Sequence, residues 1–110
     1  MAPAFLDPGL FNRRVAIERN LGRPDGAGGL IDAWTEIGET AARVEPLSAE
    51  VRERFSQRIG TVTHRVTLRQ RVGLDRGDAF RLGARRLVIR WLHDPDETGR
   101  YLVCRCEEEA

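Results

Sequence analysis

The sequence predicts an all-β protein, a small antiparallel β-barrel or sandwich with long loops and at most one short helix. Three observations favour this fold class. Short segments of alternating apolar and polar residues recur along the chain, clusters of Gly, Pro and Asp separate them, and helical periodicity is confined to one stretch. The 110 residues match the size of one domain. We therefore expect a single domain over residues 1–110 with one modest core.

The first part of the chain predicts three strands and one long loop. Residues 14–18 alternate between apolar and polar side chains, which indicates a half-buried first strand. Residues 20–30 contain one proline and four glycines and predict a long mobile hairpin loop. A second strand is expected around residues 34–37 and a third around residues 42–44. Pro46 ends the third strand.

One short helix is predicted after the third strand. Ser48 is a candidate N-cap, and Glu50 lies in the first turn, where the helix dipole favours a carboxylate. Val51 and Phe55 are four residues apart and would share one face. These signals predict one or two helical turns.

The remaining segments predict strands only. Residues 61–69 alternate strictly and form the most regular strand pattern in the chain. Its apolar face would carry Val62, His64, Val66 and Leu68. Residues 80–82 and 87–92 flank a tight Gly-Ala turn and predict a hairpin. Its second arm is partly apolar on both faces, so we expect it to lie centrally with Trp91 in the core. Residues 101–106 form the last strand.

The charge is balanced overall but unevenly distributed. The net charge of +1 produces no global field that would favour nucleic acid or an anionic membrane. All 18 basic residues are Arg, and eight of them lie between Arg65 and Arg90, where the only acids are Asp75 and Asp78. The chain then closes on three consecutive glutamates, residues 107–109. Arg pairs well with carboxylates, so these oppositely charged regions predict contacts between subunits.

The cysteines and the chain start indicate a reduced, non-membrane environment. Cys104 and Cys106 are two residues apart on one strand, a spacing that fits a disulfide poorly, so we expect free thiols. No run approaches the ~18 apolar residues of a membrane-spanning helix. The first residues lack the basic and apolar regions of a secretory signal. We expect a protein that stays in the cytoplasm where it is made.

No segment predicts a catalytic, cofactor or metal site. His64 falls on an apolar strand face, where a hydrogen-bonded structural role is expected, and His93 begins a turn and should be solvated. The glycines of residues 26–29 lack the Gly-Lys-Ser/Thr ending of a phosphate loop. Residues 94–99 resemble the start of a calcium loop, but Arg105 stands where the bidentate Glu is required, which favours a tight turn. The two cysteines lack the spacing and second pair of a zinc site.

Several weak motifs follow one another in an informative order. They are LFNRRVAIER near the start, the loop at residues 25–29, Trp34, ARVEPLSAE at residues 42–50, THRVTLR at residues 63–69, and GARRLVIRWLHDPDETGRYLVCRCEEE at the end. In this order and spacing, which span nearly the whole chain, the sequence resembles the head-tail joining proteins of tailed phages, prophages and gene transfer agents. These are also called head-closure or stopper proteins.

The resemblance implies a structural role and no enzymatic activity. Proteins of that family are small β-barrels that form a homo-oligomeric ring, of six or twelve copies, below the portal and adaptor proteins. The ring closes the exit channel on the packaged DNA and offers a platform to tail proteins. Assembly would occur in the host cytoplasm and end in the virion neck. The alternatives are a tail-terminator or adaptor ring of the same particle, or a small nucleic-acid-binding barrel; an adaptor should be more helical than this chain.

The resemblance also implies which residues would form the channel gate, the contact to a neighbouring ring and the subunit interface. The segment between the third and fourth predicted strands, residues 47–60, is the candidate channel gate, and the loop at residues 25–29 is the candidate contact to a neighbouring ring. The gate residues are Glu50, Arg52, Glu53, Arg54 and Gln57. The loop residues are Asp25, Gly26, Gly28 and Gly29. The candidate subunit interface consists of Arg85, Arg86, Glu107, Glu108 and Glu109.

Overall fold

The computed structural model describes residues 11–59, 61–71 and 73–109, and of residues 55–59 it describes the backbone only. It confirms the predicted fold class, because six strands form a closed antiparallel barrel and the described part of the chain contains one helix. The strands are β1 (Arg13–Asn20), β2 (Arg23–Pro24), β3 (Leu30–Ile31), β4 (Trp34–Pro46), β5 (His64–Arg69), β6 (Ala79–Leu82), β7 (Arg85–His93) and β8 (Tyr101–Glu108), and the helix is α1 (Ala49–Ile59).

The barrel closes through an antiparallel ladder between strands that are distant in sequence. Its order is β1, β4, β5, β8, β7 and β6, and β6 returns to β1 through the pairs of residues 16–18 with residues 79–81. Each barrel strand therefore has a hydrogen-bonded neighbour on both sides. The two short strands β2 and β3 pair only with each other.

The up-and-down course of the strands gives the barrel two different ends. One end, the helix end, carries α1, the turn between β6 and β7, and the glutamates of residues 107–109. The opposite end carries the segment between β5 and β6 and the turn between β7 and β8. The β2–β3 ribbon also extends from this opposite end, as the continuation of the β1–β4 hairpin. We call residues 21–33 the arm and this end of the barrel the arm end.

Alternating side chains from all six barrel strands fill the core. Val66 and Leu68 of β5, which the sequence places on one face, are fully buried, as is Phe80 of β6. Leu102, Cys104 and Cys106 of β8 belong to the same cluster. Both cysteines are free thiols, as expected from their spacing. Burial raises the pKa of Cys104 to about 12 and raises that of Cys106 as well.

The second and third predicted strands are in fact one strand, β4, of 13 residues. The sequence between them contains Gly38 but no turn signal, so the chain continues. The ladder with β1 shifts here, because Ile17 pairs with Gly38 and Glu18 pairs with Glu36. Ile37 is the extra residue of this β-bulge, and bulges bend a strand. β4 pairs with β1 along its first part and with β5 along its last part.

The helix is longer than the sequence signals predict. α1 has 11 residues, about three turns, instead of one or two. Ser48 lies at its start as expected: its hydroxyl accepts a hydrogen bond from the Val51 N–H at 3.4 Å, and its carbonyl accepts one from the Arg52 N–H at 3.0 Å. No Gly or Pro occurs within residues 49–59, so no local signal ends the helix earlier.

The prediction that Trp91 lies in the core is wrong. Its side chain is 39% exposed. The β7–β8 ladder pairs Ile89 with Cys106 and Trp91 with Arg105, which leaves Arg90 as the extra residue of a bulge. A bulge reverses the side-to-side alternation of the residues beyond it. Trp91 therefore turns outward, while Ile89 remains in the core.

The two histidines differ from each other. His64 is buried and hydrogen-bonded, as expected for a structural residue: its Nδ1 lies 2.8 Å from the Thr63 hydroxyl. His93 is not the solvated residue that the sequence predicts. Its ring stacks on Trp91 with centroids 4.7 Å apart, and within the described part of the chain its buried Nδ1 has no hydrogen-bond partner. Burial lowers the pKa of both rings.

Candidate functional site

The tip of the arm is held by the carboxylate of Asp25. One carboxylate oxygen accepts hydrogen bonds from the N–H groups of Ala27 at 2.7 Å and Gly29 at 3.0 Å, and these bonds lower the pKa of Asp25. Gly26 and Gly28 adopt φ values of 84° and 87°, which suit glycine. A Cβ at Gly29 would stand 2.7 Å from the Asp25 carboxylate. The predicted contact loop is thus a compact turn at the end of the β2–β3 ribbon.

The arm also presents large apolar side chains to solvent. Leu30 is 74% exposed, Leu21 66% and Ile31 42%. Among the described residues, the other exposed large apolar side chains are Ile37, at the bulge of β4, and Trp91. Among the described residues, the exposed large apolar side chains are therefore concentrated on the hairpin that ends in the arm. The glycine and aspartate signals of this segment indicated a loop and did not reveal this apolar surface.

The candidate gate lies at the helix end of the barrel. Glu50, Arg52, Glu53 and Arg54 are exposed on α1, and Gln57 belongs to the part of α1 whose side chains lie outside the described residues. Within the described residues, helix α1 makes few contacts with the strands. An open groove of about 420 Å³ separates it from the chain that enters β5. The groove is lined by Ala49, Arg52, Glu53, Thr61 and Val62.

The predicted interface residues form ion pairs between neighbouring strands of the same chain. Arg85 donates two hydrogen bonds to Glu108, at 2.9 and 3.1 Å, and lowers the pKa of that carboxyl. Arg86 lies 3.3 Å from Glu109. Arg90 similarly bonds to Glu107 at 2.8 and 3.0 Å. The structure brings these predicted residues together within one subunit.

Arg86 belongs to a wider network that the sequence did not reveal. It donates a hydrogen bond of 2.9 Å to Glu18, a carboxylate that is only 5% exposed, and Arg81 lies 3.3 Å from the same carboxylate. The guanidinium carbon of Arg86 also lies 4.6 Å from the centroid of the Trp34 ring, a cation–π contact. Glu18 and Arg86 are 68 residues apart, so no local pattern could indicate their pairing.

The arginine-rich stretch does not form a continuous free basic surface. Five of its eight arginines pair with carboxylates of the same chain. Arg65, for example, donates two hydrogen bonds of 3.0 Å to Glu45 on the adjacent strand. The guanidinium of Arg71 lies against Gly38, where an added Cβ would be 2.9 Å from it. These pairs stabilise the barrel wall and reduce the positive potential of the stretch.

The described residues bring together no cluster of metal-binding side chains. Among them, no group of three or more His, Cys, Asp or Glu is arranged to hold a metal ion. The Asp94 carboxylate accepts hydrogen bonds from the N–H groups of Asp96, Glu97 and Gly99, so this segment is the tight turn that the sequence favours. In the part of the chain that the structure describes, no helix is long and apolar enough to cross a membrane.

Comparison with known proteins agrees with the fold described above. A chain from the virion of a native gene transfer agent particle has 28% sequence identity and a TM-score of 0.60, and the match covers 89% of this chain and 94% of that one. Protein SF1141 from Shigella flexneri 2a has the same fold, with 20% identity, a TM-score of 0.68, and coverage of 90% and 93%. No curated protein matches the chain. The model of the phage head completion protein family matches residues 6–109. The chain therefore belongs to the phage head completion protein family and is a structural protein of the head–tail connector.

Proposed function

We propose that this chain forms a homo-oligomeric ring, of six or twelve copies, that closes the DNA exit channel after packaging and provides the docking platform for the tail. The portal and adaptor proteins would lie above the ring and tail proteins below it. The protein would assemble in the host cytoplasm and end in the virion neck, and it would act without catalysis. Its family membership and its likeness to a chain of a gene transfer agent virion support this role.

The observation that carries the closure role is the placement of α1. Helix α1 lies between two barrel strands at one end, its described side chains Glu50, Arg52, Glu53 and Arg54 are exposed, and within the described residues it makes few contacts with the strands. A lightly packed segment can change position at a small cost, because few buried contacts are lost. We assign channel gating to Glu50, Arg52, Glu53, Arg54 and Gln57 of this segment.

The arm and the β7–β8 pairs are the proposed assembly surfaces. The tip residues Asp25, Gly26, Gly28 and Gly29 extend beyond the barrel and would contact a neighbouring ring. The proposed subunit boundary contains Arg85, Arg86 and residues 107–109. These residues pair within one chain, so each copy would present ordered ion pairs to the next copy. A single exposed pair contributes only about 0 to 1 kcal/mol. The effect would therefore depend on repetition around the ring.

Deletion of the gene from a producing strain tests the role directly. Electron microscopy of the particles should show heads that have lost their DNA, separated from intact tails. Full heads that carry tails of uncontrolled length would instead favour a tail terminator. Normal, filled and tailed particles would contradict both connector roles.

The gate assignment needs a separate experiment. Residues 50–57 are replaced by a short Gly-Ser linker, and residues 95–98 in the turn at the opposite end receive the same treatment as a matched control. We expect the first variant to assemble but to lose packaged DNA, and the control to retain it. DNA retention by the first variant would contradict the gate assignment.

A second candidate function, nucleic-acid binding by the free chain, is favoured by one observation. Trp91 is exposed and stacks on His93 on the outer wall, which is the kind of aromatic surface on which bases stack. The paired state of most nearby arginines argues against it. Anisotropy of a labelled single-stranded oligonucleotide, compared between wild type and Trp91→Ala, distinguishes the two. Binding that depends on Trp91 and falls steeply with salt would support this function.

A further inference from the structure

The exposed apolar side chains of the arm lack a partner within the described chain. Leu30 and Ile31 are adjacent on β3, and Leu21 lies across the hairpin from them. A shallow depression at the base of the arm is lined by these three residues with Asn20, Gly22 and Asp32. Burying such side chains is favourable, and a contiguous apolar set on a projecting element is typical of a contact surface.

The opposite end of the barrel offers a matching concave surface. The groove beside α1 exposes mainly apolar atoms, with the exposed Ala49 on one side and the buried Val62 at its base. Its volume of about 420 Å³ is sufficient for the ends of two large apolar side chains. Arg52 and Glu53 at its rim carry opposite charges, as do Arg23 and Asp32 on the arm. Both surfaces thus combine an apolar centre with one positive and one negative side chain.

The position of the two surfaces determines what kind of assembly they would give. The arm lies at one end of the barrel and the groove lies at the other end. When each arm enters the groove of the next copy, the contact therefore joins two different surfaces and not two arms. Contacts between two different surfaces are heterologous, and they close into a ring when the rotation between copies allows it. A head-to-tail arrangement of barrels around the ring satisfies this condition.

We infer that Leu30 and Ile31 of each arm occupy the groove between α1 and residues 61–62 of the next copy. This inference rests on the proposed ring, and it adds the contact that joins its subunits. It concerns the apolar flank of the arm, whereas the glycine tip remains the proposed contact to a neighbouring ring. Because α1 forms one wall of the groove, the arm of each copy would also fix the position of the next copy's candidate gate.

Cysteine cross-linking in assembled particles tests the contact. The variant Leu30→Cys/Thr61→Cys places one thiol on the arm and one on the exposed edge of the groove. The native cysteines are fully buried and will not interfere. The matched control is Leu30→Cys/Arg76→Cys, because Arg76 is exposed at the arm end of the same barrel. Leu30→Cys alone tests whether arms meet arms.

We expect mild oxidation to convert most of the Leu30→Cys/Thr61→Cys chain into a ladder of oligomers that ends at the ring size. The control and the single variant should remain mostly monomeric on a denaturing gel. Two results would overturn the inference and leave the proposed function intact: monomers only from a variant that is present in filled, tailed particles, or dimers from Leu30→Cys alone. Absence of the wild-type chain from purified particles would overturn the proposed function and the inference together.

A second variant covers the case in which the double cysteine chain fails to assemble. Leu30→Asp changes a side chain that is 74% exposed, so the barrel should fold normally by circular dichroism. We expect at least a tenfold loss of the variant from purified particles. The matched control, Ile37→Asp, changes an exposed apolar residue of β4 that lies outside the arm and should be incorporated normally. Normal incorporation of Leu30→Asp would contradict the arm contact.

Discussion

The pair formed by Arg19 and Asp78 provides a quantitative test of what holds the arm end of the barrel together. The Asp78 carboxylate accepts two hydrogen bonds from the Arg19 guanidinium, at 2.9 and 2.8 Å, and a third from the Asp75 N–H at 2.9 Å. Arg19 also donates to the Gly73 carbonyl. Asp78 is 3% exposed, so the pair ties the segment between β5 and β6 to β1.

The expected cost of Asp78→Asn follows from this geometry. Removing one partner of a fully buried ion pair costs about 3 to 5 kcal/mol. The Arg19 side chain is 34% exposed and can regain water, and Asn retains some of the hydrogen bonds, so we expect about 2 kcal/mol. For a small protein this should lower the urea midpoint of unfolding by about 1 to 2 M.

The cost should depend on pH in a defined direction. Burial alone would raise the pKa of Asp78, but the hydrogen bonds from Arg19 and the Asp75 backbone outweigh burial and lower it. A lowered folded-state pKa gives stability that is present above the unfolded value of about 3.9 and is lost as pH falls through the folded value. The difference in unfolding free energy between wild type and Asp78→Asn should therefore shrink as pH falls below the unfolded value of about 3.9.

Urea unfolding followed by circular dichroism at neutral and acidic pH measures both effects. Asp75→Asn is the matched control, because this exposed carboxylate lies three residues away in the same segment. It should change the unfolding free energy by less than about 0.5 kcal/mol. The reasoning fails if Asp78→Asn behaves like this control at neutral pH, or if its cost remains unchanged in acid.

Three further outcomes are expected. Arg86→Ala should destabilise the barrel by about 1 to 2 kcal/mol, measured by thermal unfolding, because buried Glu18 loses its closest partner while Arg81 remains near it. Cys104 and Cys106 should resist a thiol reagent at about pH 8 until denaturant is added, since both thiols are buried and their pKa values are raised; fast labelling of the native chain would contradict this. Gly29→Ala should leave the unfolding midpoint nearly unchanged, because the clash is confined to the arm tip, but should reduce incorporation into particles.

The fold could be predicted from the sequence wherever the signals are local. Strict alternation located β5, the Gly-Ala turn located the β6–β7 hairpin, and Ser48 located the start of α1. The closure of the barrel through β1 and β6 could not be predicted, because it joins residues that are more than sixty positions apart.

The two bulges explain the errors. An extra residue at Ile37 allows β4 to bend and continue, so a pattern that indicated two strands belongs to one. An extra residue at Arg90 reverses the alternation in β7, so Trp91 faces outward although its neighbours are apolar. Bulges leave only a weak mark in sequence because any residue type can occupy many of their positions. The exposed apolar side chains of the arm were also missed, because the glycines of this segment predict a loop and do not indicate an apolar surface.

Closure of the barrel also restricts how copies of this protein can associate. Every barrel strand already has a neighbour on each side, so none offers a full free edge to which a strand of another molecule can add. Within the described residues, β2 and β3 pair only with each other, and the first part of β4 pairs only with β1. The folded barrel therefore offers little free strand edge for sheet-to-sheet aggregation. Association would instead depend on side-chain contacts and on the arm, which favours ordered assembly over uncontrolled polymerisation.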